Sequence, residues 1–156
     1  MSDLDSLVRY ADNRKIWLNL RDRFPHPYTR RDGQRFLRTM LESDPETAFA
    51  IIVNDEAVGG IGFVLLQDVE RVSAEIGYWL GEPLWGRGIT SEALIAVTNY
   101  AVEKHGLTRL FAVPFAHNVA SCRVLEKAGY AVEGRLRRSA IKDGRIIDQV
   151  QYAFNP

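Results

Sequence analysis

Gly86 and Gly88 stand two apart in EIGYWLGEPLWGRGITSEAL, Glu75 to Leu94, where an alternating apolar stretch hands over to a helix-like one. Glycines at such a handover suit an anion. A helix N-terminus presents unpaired N–H groups and a partial positive charge, and a residue without a side chain lets a phosphate approach them. A plain turn would use the same residues, so the loop alone leaves both readings open. It speaks against two common nucleotide motifs: a P-loop ends in Gly-Lys-Ser/Thr, which GRGITS does not supply, and a dinucleotide fingerprint needs a third glycine where this chain has Ser91. Just upstream, Glu75 alternates with Ala74, Ile76, Tyr78 and Leu80 and faces away from that set. It is either a proton acceptor beside the loop or a solvent-facing strand glutamate.

The elements that must position these groups read clearly from the pattern. Helical spacing runs from Leu4 to about Ser43, broken by FPHPYT, Phe24 to Thr29, where Pro25 and Pro27 impose an extended link and Thr29 is placed to cap the next helix. Strands follow from Thr47, with a hairpin turn at Asn54-Asp55-Glu56 and a further strand, SAEIGYWL, entering the glycine loop. A helix from near Ile89 to His105 ends at Gly106, TRLFAVPF is a strand, and NVASCRVLEKAG is a helix capped by Asn118. The last two strands join across Lys142-Asp143-Gly144. The order implies a mixed α/β sheet in which Ala74–Leu80 and Leu110–Pro114 lie parallel through a crossover helix. The glycine loop then sits at the carboxyl end of the first parallel strand, where open α/β sheets bind ligands.

The bulk properties narrow the classes. At 156 residues the chain makes one domain, residues 1–156, with 46% apolar and 26% charged residues. Twenty basic and twenty acidic residues cancel, so no whole-protein field recruits nucleic acid. Cys122 is the single cysteine, which excludes a disulfide framework and a cysteine metal site, and on a helix it reads as packing. His26, His105 and His117 show no metal-ligand spacing. No apolar run approaches a membrane span, and the polar start MSDLDSLVRYADNRK has no hydrophobic signal core, so the expected compartment is the cytoplasm.

AEIGYWLGEPLWGRGITSEAL, followed some two dozen residues on by NVASCRVLEKAGY, resembles the GNAT N-acetyltransferase superfamily, and more closely its ribosomal-protein-alanine branch of the RimJ/RimL type. The likeness extends from FPHPYT to the terminal strand. It implies an α/β (α+β) fold: a mixed, mostly antiparallel sheet whose central parallel pair splays around acetyl-CoA, flanked by helices. The first strand usual in that branch does not precede the first helix: either it is missing, in which case Thr47–Val53 is an exposed edge that a homodimer would cover, or the stated start is late.

On this resemblance the strand through Tyr78, Trp79 and Leu80 pairs with the pantetheine arm. The amides of Arg87, Gly88, Thr90 and Ser91 hold the pyrophosphate, Trp85, Gly86 and Ile89 belong to the same cofactor-binding loop, and Asn118 either contacts the cofactor or caps its helix. Two positions depart from the wider superfamily: Trp85 replaces a usual Gln or Arg, and Thr90 a small residue. Glu75 matches the general base that takes the proton of the attacking amine, and the amide near Trp79 or Leu80 is the donor for the thioester oxygen. The tyrosine that protonates the departing thiolate in many members is replaced by Leu125, so Ser121 is the substitute, followed by Tyr130 and Tyr152. His26 and Tyr28 are expected on the wall of the amine site, together with the Ser139–Ile147 hairpin.

The reading is therefore an acetyl-CoA-dependent N-acetyltransferase acting on a protein N-terminus or a small primary amine, without a metal. A non-catalytic acyl-CoA sensor on the same fold is the alternative, and an RNA-associated factor a weaker third.

Overall fold

The computed structural model describes residues 3–156; Met1 and Ser2, at the head of the polar start, lie outside the described residues. Helices α1 (Leu4–Ala11), α2 (Arg14–Trp17) and α3 (Arg30–Leu41) come first. Then follow β1 (Ala48–Val53), β2 (Glu56–Leu65), β3 (Ser73–Leu80), α4 (Ile89–His105), β4 (Arg109–Ala112), α5 (Val119–Lys127), β5 (Ala131–Lys142) and β6 (Arg145–Phe154).

Local chemistry accounts for most boundaries. Thr29 accepts from the Asp32 N–H while Asp32 accepts from the Thr29 N–H, a reciprocal capping box that starts α3. The β1–β2 turn places Asn54 and Asp55 at positive φ, the signature of a tight hairpin whose twist matches its strands. Gly106 takes the left-handed conformation that ends α4, and its N–H bonds the Val102 carbonyl. The Asn118 side chain accepts from the Ser121 N–H and opens α5. Asn118 is thus a helix cap.

The six strands run in the order β1-β2-β3-β4-β6-β5, with β1 at one edge as expected. Only β3 and β4 are parallel. The core lies between the sheet and the helix pair α4 and α5, where Leu94, Leu110 and Leu125 are fully buried.

The parallel pairing is shorter than the sequence suggested. It comprises Ser73–Arg109, Ala74–Leu110 and Glu75–Phe111, and there it stops. On its other edge β4 pairs β6 from Leu110 to Ala112, and beyond Ala112 the chain stays with β6: the Val113 carbonyl accepts from the Gln149 side chain, the Pro114 carbonyl from the Val150 N–H, and the Asp148 carbonyl from the Ala116 N–H. Pro114 has no N–H to return to β3. Strand β3 runs on alone to Leu80, paired with β2 on one side and open on the other.

On that paired side β2 and β3 approach so closely that a methyl group on Gly59 would lie 2.4 Å from the Trp79 carbonyl oxygen. Backbone cannot yield there as a flexible side chain would. Gly59→Ala is expected to cost about 1–3 kcal/mol of unfolding free energy, the range for overpacking. A urea melt of the variant beside the wild type measures it.

Candidate active site

Where β3 and β4 part, three groups of atoms face the opening. The first is the free side of β3. The Gly81 N–H bonds the Val58 carbonyl, so the alternation of an antiparallel ladder directs Trp79 and Gly77 toward β2 as well, and turns the polar groups of Tyr78 and Leu80 away from it. Of the two amides that the sequence nominated near the thioester oxygen, Leu80 faces the gap and Trp79 does not. The Leu80 carbonyl is already taken, by the Trp85 indole N–H at 2.7 Å. That bond folds the intervening turn, Glu82–Leu84, back on the end of β3 and sets where the glycine loop begins.

The second group is the start of α4. Gly86 and Gly88 both adopt left-handed φ, 76° and 80°, and a side chain at either would meet open space. Their role is conformational: the chain must turn there before the helix can start. Gly88 is the N-cap and supplies no side-chain acceptor, so the N–H groups of Ile89, Thr90 and Ser91 lack an acceptor among the described residues. Seventeen residues of helix stand behind those amides, and an anion is their natural partner. Arg87 is exposed in the same loop.

The third group joins β3 to α5. The Tyr78 and Ser121 hydroxyls lie 2.8 Å apart. Burial raises the Tyr78 phenol well above its ordinary range, so it stays protonated at neutral pH, hydrogen-bonded to the Ser121 hydroxyl and within 3.3 Å of the Ser121 carbonyl. The other two candidates for a proton donor are engaged elsewhere. The Tyr130 hydroxyl is buried against Thr98 Oγ1 at 2.7 Å, and burial pushes it up to about 12. The Tyr152 hydroxyl donates to Glu126 at 3.0 Å.

Glu75 occupies the last paired position before the gap and projects from the opposite face of β3. Gly77 and Trp79 share that face. Gly77 would place a side chain in open space, leaving a clearing between the Glu75 carboxylate and the Trp79 indole. The far wall comes from the segment after α2. Phe24 packs edge-on against Trp79, with ring centroids 5.7 Å apart, and Arg21 forms an ion pair with Glu75.

His26 and Tyr28, named from sequence for this wall, stand behind it. Tyr28 is buried against Phe24, its phenol raised by burial to about 12. His26 lies beside Trp17 and 3.6 Å from the Asp12 carboxylate. The segment was legible; which of its side chains reach Glu75 was not. Arg21 is 54 residues from Glu75, and no local pattern announces their meeting. Gly77 could have been found, since it shares the alternation that singled out Glu75.

The β5–β6 hairpin closes the same side. Lys142 is 4% exposed, donates to Asp22 at 2.8 Å and stands 3.9 Å from the Trp17 ring centre; Arg14 pairs with Asp143 in the turn. Among the described residues no cluster of His, Cys, Asp and Glu could hold a metal ion, and no helix is long and apolar enough to cross a membrane.

The model of the acetyltransferase (GNAT) domain matches residues 1–131. The chain belongs to the GNAT acetyltransferase family. The uncharacterized N-acetyltransferase p20 of Bacillus licheniformis is 30% identical over 158 residues, 99% of this chain and 88% of that protein. The ribosomal-protein-serine acetyltransferase of Escherichia coli is 32% identical over 105 residues, 67% of this chain and 58% of its own. Among solved structures, RimL, a ribosomal-protein alpha-N-acetyltransferase in complex with coenzyme A, superposes with a TM-score of 0.85 at 23% identity, covering 99% of this chain and 89% of the other. The mixed sheet with its single parallel pair is the fold that the family resemblance implied.

Gly77 gives a test of which face receives the acceptor. A Cβ at Gly77 meets no atom within 4 Å and the position is exposed, so the unfolding free energy of Gly77→Leu is expected within about 0.5 kcal/mol of wild type. Acetyl transfer to an amine is expected to fall at least about tenfold, the effect of losing roughly 1.4 kcal/mol of productive binding. A stable variant with full turnover would place the acceptor elsewhere.

Proposed function

We propose that this chain moves an acetyl group from acetyl-CoA to a primary amine by direct attack on the thioester. The observation that carries the reading is the position of Glu75, at the residue where β3 and β4 separate, with the free amides of α4 and the Leu80 N–H opening on the same gap. The amides of Ile89, Thr90 and Ser91 suit the pyrophosphate, and the unpaired side of β3 suits a pantetheine amide chain.

In the reaction the amine nitrogen forms a bond to the acetyl carbon and the carbon–sulfur bond breaks. Glu75, directly or through water, takes the proton that the amine must lose, since an ammonium has no lone pair with which to attack. The Leu80 N–H is the backbone donor for the oxygen that gains charge. The electron pair of the broken bond leaves on sulfur, and the Ser121 hydroxyl, backed by Tyr78, supplies its proton. A thiolate is a competent leaving group, so this last step bears less of the barrier than the first.

The acceptor we favour is a protein N-terminus, on the likeness to relatives named for ribosomal proteins. A non-catalytic acyl-CoA sensor has one observation on its side, the Arg21 guanidinium resting on Glu75. One variant separates the two. Glu75→Gln keeps the shape of the site and removes the proton acceptor, so turnover is expected to drop about 10²–10⁴-fold. Acetyl-CoA should still raise the melting midpoint, by the equivalent of about 2.7 kcal/mol at 100 times its dissociation constant. Thiol release and thermal unfolding read the two arms; wild-type protein that binds acetyl-CoA but acetylates no amine would establish the sensor.

A further inference from the structure

The Arg21–Glu75 contact sets two functions against each other at one carboxylate. Glu75 must be free to accept a proton from the acceptor, yet its oxygen is engaged by a guanidinium. The backbone beneath Arg21 is held firmly: its carbonyl accepts the Phe24 N–H at 3.0 Å, and the next residue, Asp22, is bound by the buried Lys142. The side chain is not. It is 53% exposed, and among the described residues it has no hydrogen-bond or ion-pair partner other than Glu75, which is itself 33% exposed. A side chain anchored at its root and tied at its tip to one exchangeable partner can change partners at small cost. What it would accept in exchange is another carboxylate, since a guanidinium has donors and no acceptor, and its planar fork matches two carboxylate oxygens.

Building on the acetyl-transfer reading above, we infer that Arg21 selects the acceptor: it holds Glu75 while the amine site is empty and passes to a carboxylate carried by the incoming amine. The preferred acceptor is a primary amine with a carboxylate close beside it. The exchange delivers two results from one movement. The acceptor carboxylate fixes the amine near Glu75, and the departure of the guanidinium frees Glu75 to take the proton. Trp79, with Phe24 packed against it, borders the open space at Gly77 and offers an apolar surface beside the Glu75 carboxylate. An acceptor lacking a carboxylate must compete with Arg21 for Glu75 and brings nothing to draw it off. Two sources supply this chemistry: the α-carboxylate of a free amino acid, and an acidic side chain in the first two residues of a protein N-terminus.

The test compares matched pairs that differ only in the carboxylate: alanine with alaninamide, and hexapeptides beginning with aspartate with the same peptides beginning with asparagine. Binding is measured by calorimetry on protein saturated with coenzyme A, so no turnover is required. The carboxylate member of at least one pair is expected to bind about tenfold more tightly, within the range of a charge-assisted hydrogen bond. The pair that shows the difference names the source. In Arg21→Met the difference should vanish, and in Arg21→Lys part of it should remain; melting midpoints of both variants verify that they are folded.

Equal affinities within both pairs, no binding by any member up to millimolar concentration, or an Arg21→Met variant that weakens both members alike would overturn the inference and leave Arg21 as a structural tie. Failure to bind coenzyme A at all would instead overturn the acetyl-transfer reading on which it rests.

Discussion

Backbone hydrogen bonding is the constraint on which this structure depends. Every buried N–H and C=O needs a partner, and a strand with only one neighbour has half its groups unspent. In this chain β4 gives β3 three residues of pairing on one edge while pairing β6 on the other, and beyond Ala112 the chain keeps only the bonds to β6. What remains of β3 is a strand edge in the middle of a sheet rather than at its border. The glycine loop and α4 follow directly, so the helix's own unpaired amides open beside that edge. A linear ligand with an amide-bearing arm and a phosphate end would satisfy both. The same parting leaves Glu75 at the last paired position, held rigidly by the ladder yet adjacent to the gap.

The opposite face of β3 is assembled from parts distant in the chain. The segment after α2 and the β5–β6 hairpin converge there and are fastened to each other by Lys142, whose side chain is almost fully buried while its partner Asp22 is largely exposed. A buried ammonium is costly unless its donors are satisfied; here a carboxylate and the face of Trp17 share that task. The arrangement trades some stability for position: it fixes the backbone of the segment from which Arg21 and Phe24 reach Glu75 and Trp79. Fixed backbone beneath a half-exposed side chain with one partner is what the proposed exchange requires.

The two hydroxyls between β3 and α5 illustrate how a lost residue can be replaced. Leu125 stands in the core, and the proton source proposed above is the Ser121 hydroxyl, 2.8 Å from that of Tyr78. The phenol belongs to the strand rather than the helix, so a reading confined to the helix motif recovers only half of the pair.

Much was legible in the sequence because it is written locally. The Thr29 cap with Asp32, the Asn54-Asp55 turn, the ends of α4 at Ile89 and His105 with Gly106 as its cap, and the alternation that separates Glu75 from Ile76 all depend on residues within a few positions of one another. Three things were decided only by the tertiary structure. Where β3 and β4 part follows from the path of the chain beyond Ala112, which stays with β6, more than thirty residues further along, and leaves β3. Which of two adjacent amides faces the gap follows from register with β2. That Arg21 meets Glu75, with Phe24 and not His26 beside Trp79, follows from how one irregular segment lies across the sheet. Irregular backbone has no period from which a direction can be read, so contacts made by such a segment are settled only when the whole chain has folded.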